Sequence, residues 1–263
     1  MSNRDRILVI AAMHEELAAF PEIPGVETRV CGVGKVNAAI AAARAHADGF
    51  PAVLIVGTAG AVDPRLNIGD VVVAALTLHH DVDVTALGFS LGEIPFARTS
   101  VWASDDQLRA LTECVCEELG IKSKNGIIVS GDRFVADRDE VKRIHSVFKA
   151  SCLDMETAGL AQACESFNLP WLAIRVISDK ADGSAHVDFP SFLPKASEKL
   201  ARIVRQVAEE WLALRPVDPF ADTLPPFSSL DLPGCLEEEP LPDPFDFQSC
   251  LLDNDPTLDL TES

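Results

Sequence analysis

Four stretches of this 263-residue chain, Arg6–Ala12, Ala52–Gly57, Asp70–Ala75 and Trp171–Val176, are apolar at consecutive positions and rich in Val, Ile and Leu. Successive side chains of a β-strand point to opposite sides, so such runs need cover on both faces. That requirement predicts a sheet held between layers of helices. The intervening segments supply those helices. Lys35–Ala47 is Ala-rich. Ser104-Asp105-Asp106 reads as an N-cap with acids in the first turn, opening a helix to about Leu119. Helical patterns recur near Asp139–Phe148, Glu156–Phe167 and Leu193–Leu214, with Pro194 suited to the first turn of the last and Pro216 just past its end. Gly126–Val129 and Ala150–Asp154 read as further strands, and Gly57–Gly60 as the turn ending the second strand. The expected fold is α/β: a three-layer αβα single domain with a mixed central sheet over residues 1–215.

Beyond Arg215 the composition changes. Residues 216–263 hold 12 of the 41 acids, 9 of the 17 prolines and no Lys or Arg. Such a segment cannot bury enough surface to offset its ordering entropy, so we expect a disordered acidic tail, able to dock a partner the sequence does not name. The net charge of -19 argues against a nucleic-acid partner. No stretch approaches the ~20 apolar residues that span a bilayer, and the seven-residue run Ile7–Met13 is at the short limit for a signal-peptide core. Seven irregularly spaced cysteines fit free thiols in a reducing cytoplasm, the expected location.

Four clusters fall at or just beyond the C-terminal ends of predicted strands, where ligand sites of α/β sheets collect. They are Met13-His14-Glu15-Glu16, Gly57-Thr58-Ala59-Gly60, Asp154-Met155-Glu156 and Ser178-Asp179. Each acid alone can serve as a helix-start charge or a turn cap. Three on three strand ends suit glycosidic cleavage, in which one group protonates the leaving group and another activates water. Other motifs carry less. Gly32-Val33-Gly34 lacks the third glycine of a dinucleotide fingerprint. His79 and His80, adjacent in a strand, point to opposite faces, and Cys114 and Cys116 at i, i+2 on a helix do not face each other. We therefore expect no metal and no cofactor.

Eight segments taken in order resemble one family: Ile7 through Ala12-Met13-His14-Glu15-Glu16, Cys31-Gly-Val-Gly-Lys-Val-Asn-Ala-Ala, Gly57-Thr-Ala-Gly, Asn67-Ile-Gly-Asp-Val-Val-Val, His80-Asp-Val-Asp-Val-Thr-Ala-Leu-Gly-Phe, Val129-Ser-Gly-Asp-Arg-Phe, Asp154-Met-Glu-Thr-Ala and Arg175-Val-Ile-Ser-Asp. They resemble the methylthioadenosine/S-adenosylhomocysteine nucleosidases of the purine nucleoside phosphorylase superfamily. The resemblance implies roles. Glu16 would activate the attacking water. Asp179 would protonate the purine at N7, with Ser178 positioning it. Met155 and Glu156 would hold the ribose, with Thr58 near the sugar. Phe134 would stack on adenine and the backbone of Val135 would read its edge. Val33, Val84, Leu87, Phe89, Pro95 and Phe189 would form an apolar pocket for the 5′-thio group. In the family, part of that pocket comes from a second subunit, which implies a homodimer. The chain departs from the family pattern at His14, at Ala61 and at Leu87, and it lacks Tyr altogether.

Water is the expected nucleophile. Phosphorylase relatives place an Arg before the turn matching Gly57-Thr58, whereas this chain has Leu54-Ile55-Val56, and Glu16 would repel phosphate. The alternatives are a futalosine-type hydrolase, which shares the acids but takes a bulkier 5′ group, phosphorolysis, and a non-catalytic nucleoside-binding protein.

Overall fold

The computed structural model describes residues 6–181 and 185–214, with side chains left undescribed between 182 and 191. The expected tail, 216–263, lies outside them. Eight strands and five α-helices follow in order: β1 Ile7–Ala11, β2 Val26–Val30, α1 Lys35–Ala47, β3 Val53–Ala61, β4 Val71–His79, β5 Val101–Ala103, α2 Asp106–Glu118, β6 Ser123–Ser130, α3 Arg138–Phe148, β7 Cys152–Asp154, α4 Thr157–Phe167, β8 Trp171–Asp179 and α5 Ala185–Leu214. Short 3-10 turns at His14–Leu17 and Thr85–Leu87 complete them. The architecture is a mixed α/β domain around one central mixed sheet.

The strands obey the two-faced rule. Leu8 and Ile10 of β1 and Val53 and Ile55 of β3 enter one core with Ala38 and Ala42 of α1 and Leu160 of α4. Ile7, Val9, Leu54 and Val56 enter the other, with Leu108 of α2 and Leu200 and Val204 of α5. Each such fully buried aliphatic side chain stabilises the fold by roughly 1.5–3 kcal/mol. A smaller third cluster joins Val129, Leu153 and Ile144 under the β6–α3 connection.

The sheet runs β2-β1-β3-β7-β6-β4-β5, and β8 pairs with both β3 and β4. β3, β7, β6, β4 and β8 therefore form a closed ring of strands, a closure that periodicity cannot show. β3 runs parallel to β8 from Val53↔Trp171 onward, and β4 runs antiparallel to β8 at Val71↔Val176.

Two local expectations need correction, and two strands were not expected. Gly57–Gly60 is not a turn, because β3 continues to Ala61. β2 and β5 have no counterpart in the sequence reading: β2 is a half-buried strand on the sheet's outer edge, and β5 has only three residues. α5 begins at Ala185, so Pro194 lies inside the helix rather than in its first turn. The N-cap reading of α2 holds, with the Asp105 side chain accepting from the Leu108 N–H.

Candidate active site

Four segment ends meet around a cavity of about 240 Å³. The 3-10 turn after β1 brings Glu16, β3 brings Thr58, the end of β7 brings Met155 and Glu156, and the end of β8 brings Ser178 and Asp179. Val33, from the loop before α1, and Phe134 and Val135, from the loop after β6, line the same cavity. Nine of the fourteen residues expected from the sequence thus converge. Val84, Leu87, Phe89 and Pro95 do not line it; they sit on the segment between β4 and β5, where Leu87 is 74% exposed. Phe189 lies on α5, and its side chain is outside the described residues.

Glu16 is buried, and four donors fix it. Its Oε2 accepts from the backbone N–H groups of Ala12 at 3.1 Å and Met13 at 3.2 Å. Its Oε1 accepts from the Thr58 N–H at 2.8 Å and the Thr58 hydroxyl at 3.2 Å. Gly57 makes this approach possible. A Cβ there would lie 2.5 Å from Glu16 Oε1 and 2.4 Å from Arg175 Nη1. The glycine is in the strand for space, not for a turn.

Asp179 is held at both oxygens. Ser178 Oγ donates to Oδ2 at 2.8 Å and also lies 3.3 Å from the Ala59 carbonyl, so its single proton serves one acceptor at a time. The Ala181 N–H donates to Oδ1 at 2.7 Å. Ala181 has φ 51, a left-handed conformation that costs a non-glycine residue about 1–2 kcal/mol.

Glu156 accepts from the Gly34 N–H at 3.0 Å and from its neighbour Met155 at 3.3 Å. Burial is the largest influence on its carboxyl and pushes it up to about 7; Arg175 opposes the rise and Asp154 adds to it.

Arg175, to which the sequence reading gave no role, is the centre of the site's electrostatics. It is fully buried, with Nη2 2.7 Å from Asp154 Oδ2 and 3.6 Å from Glu156 Oε2. Burial works against its charge, but the carboxylates of Asp154, Glu156 and Glu16 outweigh that and hold its pKa above the ordinary value. A lone cation inside the apolar run Trp171–Ile177 was the signal, since a buried charge must have a partner.

Residues 25–209 match the phosphorylase superfamily. The chain belongs to the phosphorylase superfamily. Among relatives in that superfamily, the 5′-methylthioadenosine/S-adenosylhomocysteine nucleosidase of Glaesserella parasuis is 38% identical over 175 residues, covering 66% of this chain and 76% of the relative. The Helicobacter pylori enzyme of the same name, solved with butyl-thio-DADMe-Immucillin-A, has a TM-score of 0.73 at 31% identity, over 78% of this chain and 98% of that one. A futalosine hydrolase structure from Helicobacter pylori has a TM-score of 0.73 at 32% identity, over 78% of this chain and 97% of that one.

Arg133 is the one cation lining the cavity among the described residues, and its Nη2 is committed to Glu140 at 2.5 Å. Outside the cavity, His79 and His80 turn to different neighbours: His79 Nε2 lies 3.0 Å from Gln162 Oε1, and the His80 ring lies against Gly131. No group of three His, Cys, Asp or Glu able to hold a metal occurs among the described residues. None of the described helices is long and apolar enough to cross a membrane. The five cysteines among the described residues, including the half-buried Cys31, are free thiols, and burial pushes Cys31 up to about 11.

Proposed function

We propose that this chain is an N-glycosyl hydrolase that releases adenine from 5′-methylthioadenosine and S-adenosylhomocysteine. The observation that carries this reading is the convergence of Glu16, Glu156 and Asp179 on one cavity with no uncommitted cation beside them among the described residues. Such a site favours a ribosyl cation developing between the acids and disfavours an attacking phosphate. Glu16, fixed by four donors, takes a proton from the attacking water. Glu156 accepts from the sugar hydroxyls. Asp179 delivers a proton to purine N7. When Asp179 carries that proton on Oδ2, Ser178 turns its own to the Ala59 carbonyl and offers a lone pair instead. Phe134 covers the base, and Met155 and Thr58 flank the sugar.

The segment between β4 and β5 completes the site across a homodimer. It exposes Leu87 and Phe96, apolar surface of the kind that marks an interaction site, and the resemblance assigns Val84, Leu87, Phe89 and Pro95 to a 5′ pocket built in part by a second subunit. Residues 1–215 carry the activity, the tail is dispensable for it, and the location is cytoplasmic. A futalosine-type substrate is the second reading, supported by the structural match to a futalosine hydrolase. The test is adenine release by purified protein in phosphate-free buffer, with Asp179→Asn and a 1–215 form alongside. We expect release by the native and shortened chains and a loss of about 100-fold or more in Asp179→Asn. Release from futalosine but not from the thioadenosines would favour the second reading, and dependence on phosphate would overturn hydrolysis.

A further inference from the structure

Asp154 has no part in the scheme above, yet it is the most heavily partnered carboxylate of the site. It is 6% exposed. Its Oδ1 accepts from Ser130 Oγ at 2.5 Å and from the backbone N–H groups of Glu156 and Thr157, both at 3.2 Å. Its Oδ2 accepts from the Thr157 hydroxyl and lies 2.7 Å from Arg175 Nη2. Ser130 Oγ in turn accepts from the Ala158 N–H at 2.8 Å, which ties β6 to the first turn of α4. A buried carboxylate with five donors has little freedom to move.

Arg175 stands between two acids and leans on one. Nη2 is 2.7 Å from Asp154 and 3.6 Å from Glu156, and it donates to Thr157 Oγ1 at 3.1 Å. A buried guanidinium and carboxylate left to themselves close to direct, often bidentate, hydrogen bonds. Such a pair would occupy the oxygens that Glu156 offers to the cavity. Among the described residues those oxygens are otherwise engaged only by the N–H groups of Gly34 and Met155 and retain free lone pairs.

We propose that Asp154 is a positioning residue that holds Arg175 off Glu156, keeping the Glu156 carboxylate free to accept from the sugar hydroxyls. The inference rests on the nucleoside reading above and deepens it. Arg175 still lies near enough to favour the Glu156 anion, while Asp154 takes the close contact.

The experiment compares kcat/KM for methylthioadenosine with that for its 2′- and 3′-deoxy analogues. Each ratio uses one enzyme preparation against two substrates, so the folded fraction cancels. The native chain should discriminate by about ten-fold or more, the usual worth of a hydrogen bond to a charged acceptor. In Asp154→Asn the ratio should fall about ten-fold toward unity as Arg175 closes on Glu156. Asp154→Glu, which keeps the charge, should restore most of it. If Asp154→Asn does not fold, Ser130→Ala, which loosens Asp154 without removing it, should show a smaller fall in the same direction. An unchanged ratio overturns the proposal, and so does equal loss in Asp154→Asn and Asp154→Glu, which would mark a purely structural role. If the native chain releases no adenine, the substrate assignment falls instead, and the same ratio is then read from Kd for adenosine against 3′-deoxyadenosine.

Discussion

Glu156 combines a functional need with a folding cost. In the proposed mechanism it must be an anion to receive the sugar, yet burial raises its pKa from 4.5 to about 7. The free enzyme should therefore lose kcat/KM as the pH falls through about 7, because the protonated form no longer accepts; a profile flat from pH 6 to 8 would contradict this. The same shift bears on stability. Between pH 4.5 and about 7 the folded chain holds a proton that the unfolded chain has released, so stability falls as pH rises through that window and stays lowered above it. Glu156→Gln removes the penalty and leaves Arg175 its contact with Asp154. At pH 8 it should raise unfolding stability by about 1–3 kcal/mol while lowering turnover by about 100-fold or more. Denaturant melts and an adenine assay on the same samples check both halves.

At the level of elements, the site depends on how closely two helices start. α1 and α4 pack so tightly that a Cβ on Gly159 would lie 2.4 Å from the Lys35 carbonyl oxygen and 2.8 Å from its Cα. That closeness delivers the Gly34 N–H to Glu156. Ala is about 1 kcal/mol better than Gly within a helix, so Gly159→Ala improves the local propensity while displacing the start of α1. We expect KM to rise several-fold and the acid limb of the pH profile to move upward, since the Gly34 donor that holds the Glu156 pKa down is withdrawn. Helices and inner strands were legible in the sequence for a related reason: packing on two faces writes itself as consecutive apolar residues in β1 and β3, and the Ala-rich run of α1 reads directly as a helix. β2 was not legible, because Val26-Glu27-Thr28-Arg29-Val30 is half-buried at the sheet's edge and lacks a continuous apolar run. Gly57 was misread because glycine signals turns, whereas here it makes room for Glu16 and Arg175. The three acids stood out at strand ends. The grip of Asp154 on Arg175 did not, since the two are paired by the ring of strands and not by any spacing along the chain.

At the scale of the whole molecule, Val84, Leu87, Phe89 and Pro95, on the segment between β4 and β5, stand outside the cavity of their own chain. If the proposed homodimer forms through this segment, Leu87→Glu should convert dimer to monomer in analytical ultracentrifugation and raise KM for methylthioadenosine about ten-fold or more, by placing a charge against apolar surface. A stable dimer with unchanged KM would remove Leu87 from the second subunit's pocket.

The closed ring of strands also governs how this molecule comes into being. Val53 pairs with Trp171 and Val71 with Val176, partners more than a hundred residues apart. Joining them must overcome loop-closure entropy before any contact rewards it, so we expect them to be late and slow events on the way from the unfolded chain. Thr58, Arg175 and Asp179 all stand on β3 and β8, one of these long-range pairs. The helices can form while the acids are still strangers, and the chain becomes an enzyme only when strands far apart in sequence have met.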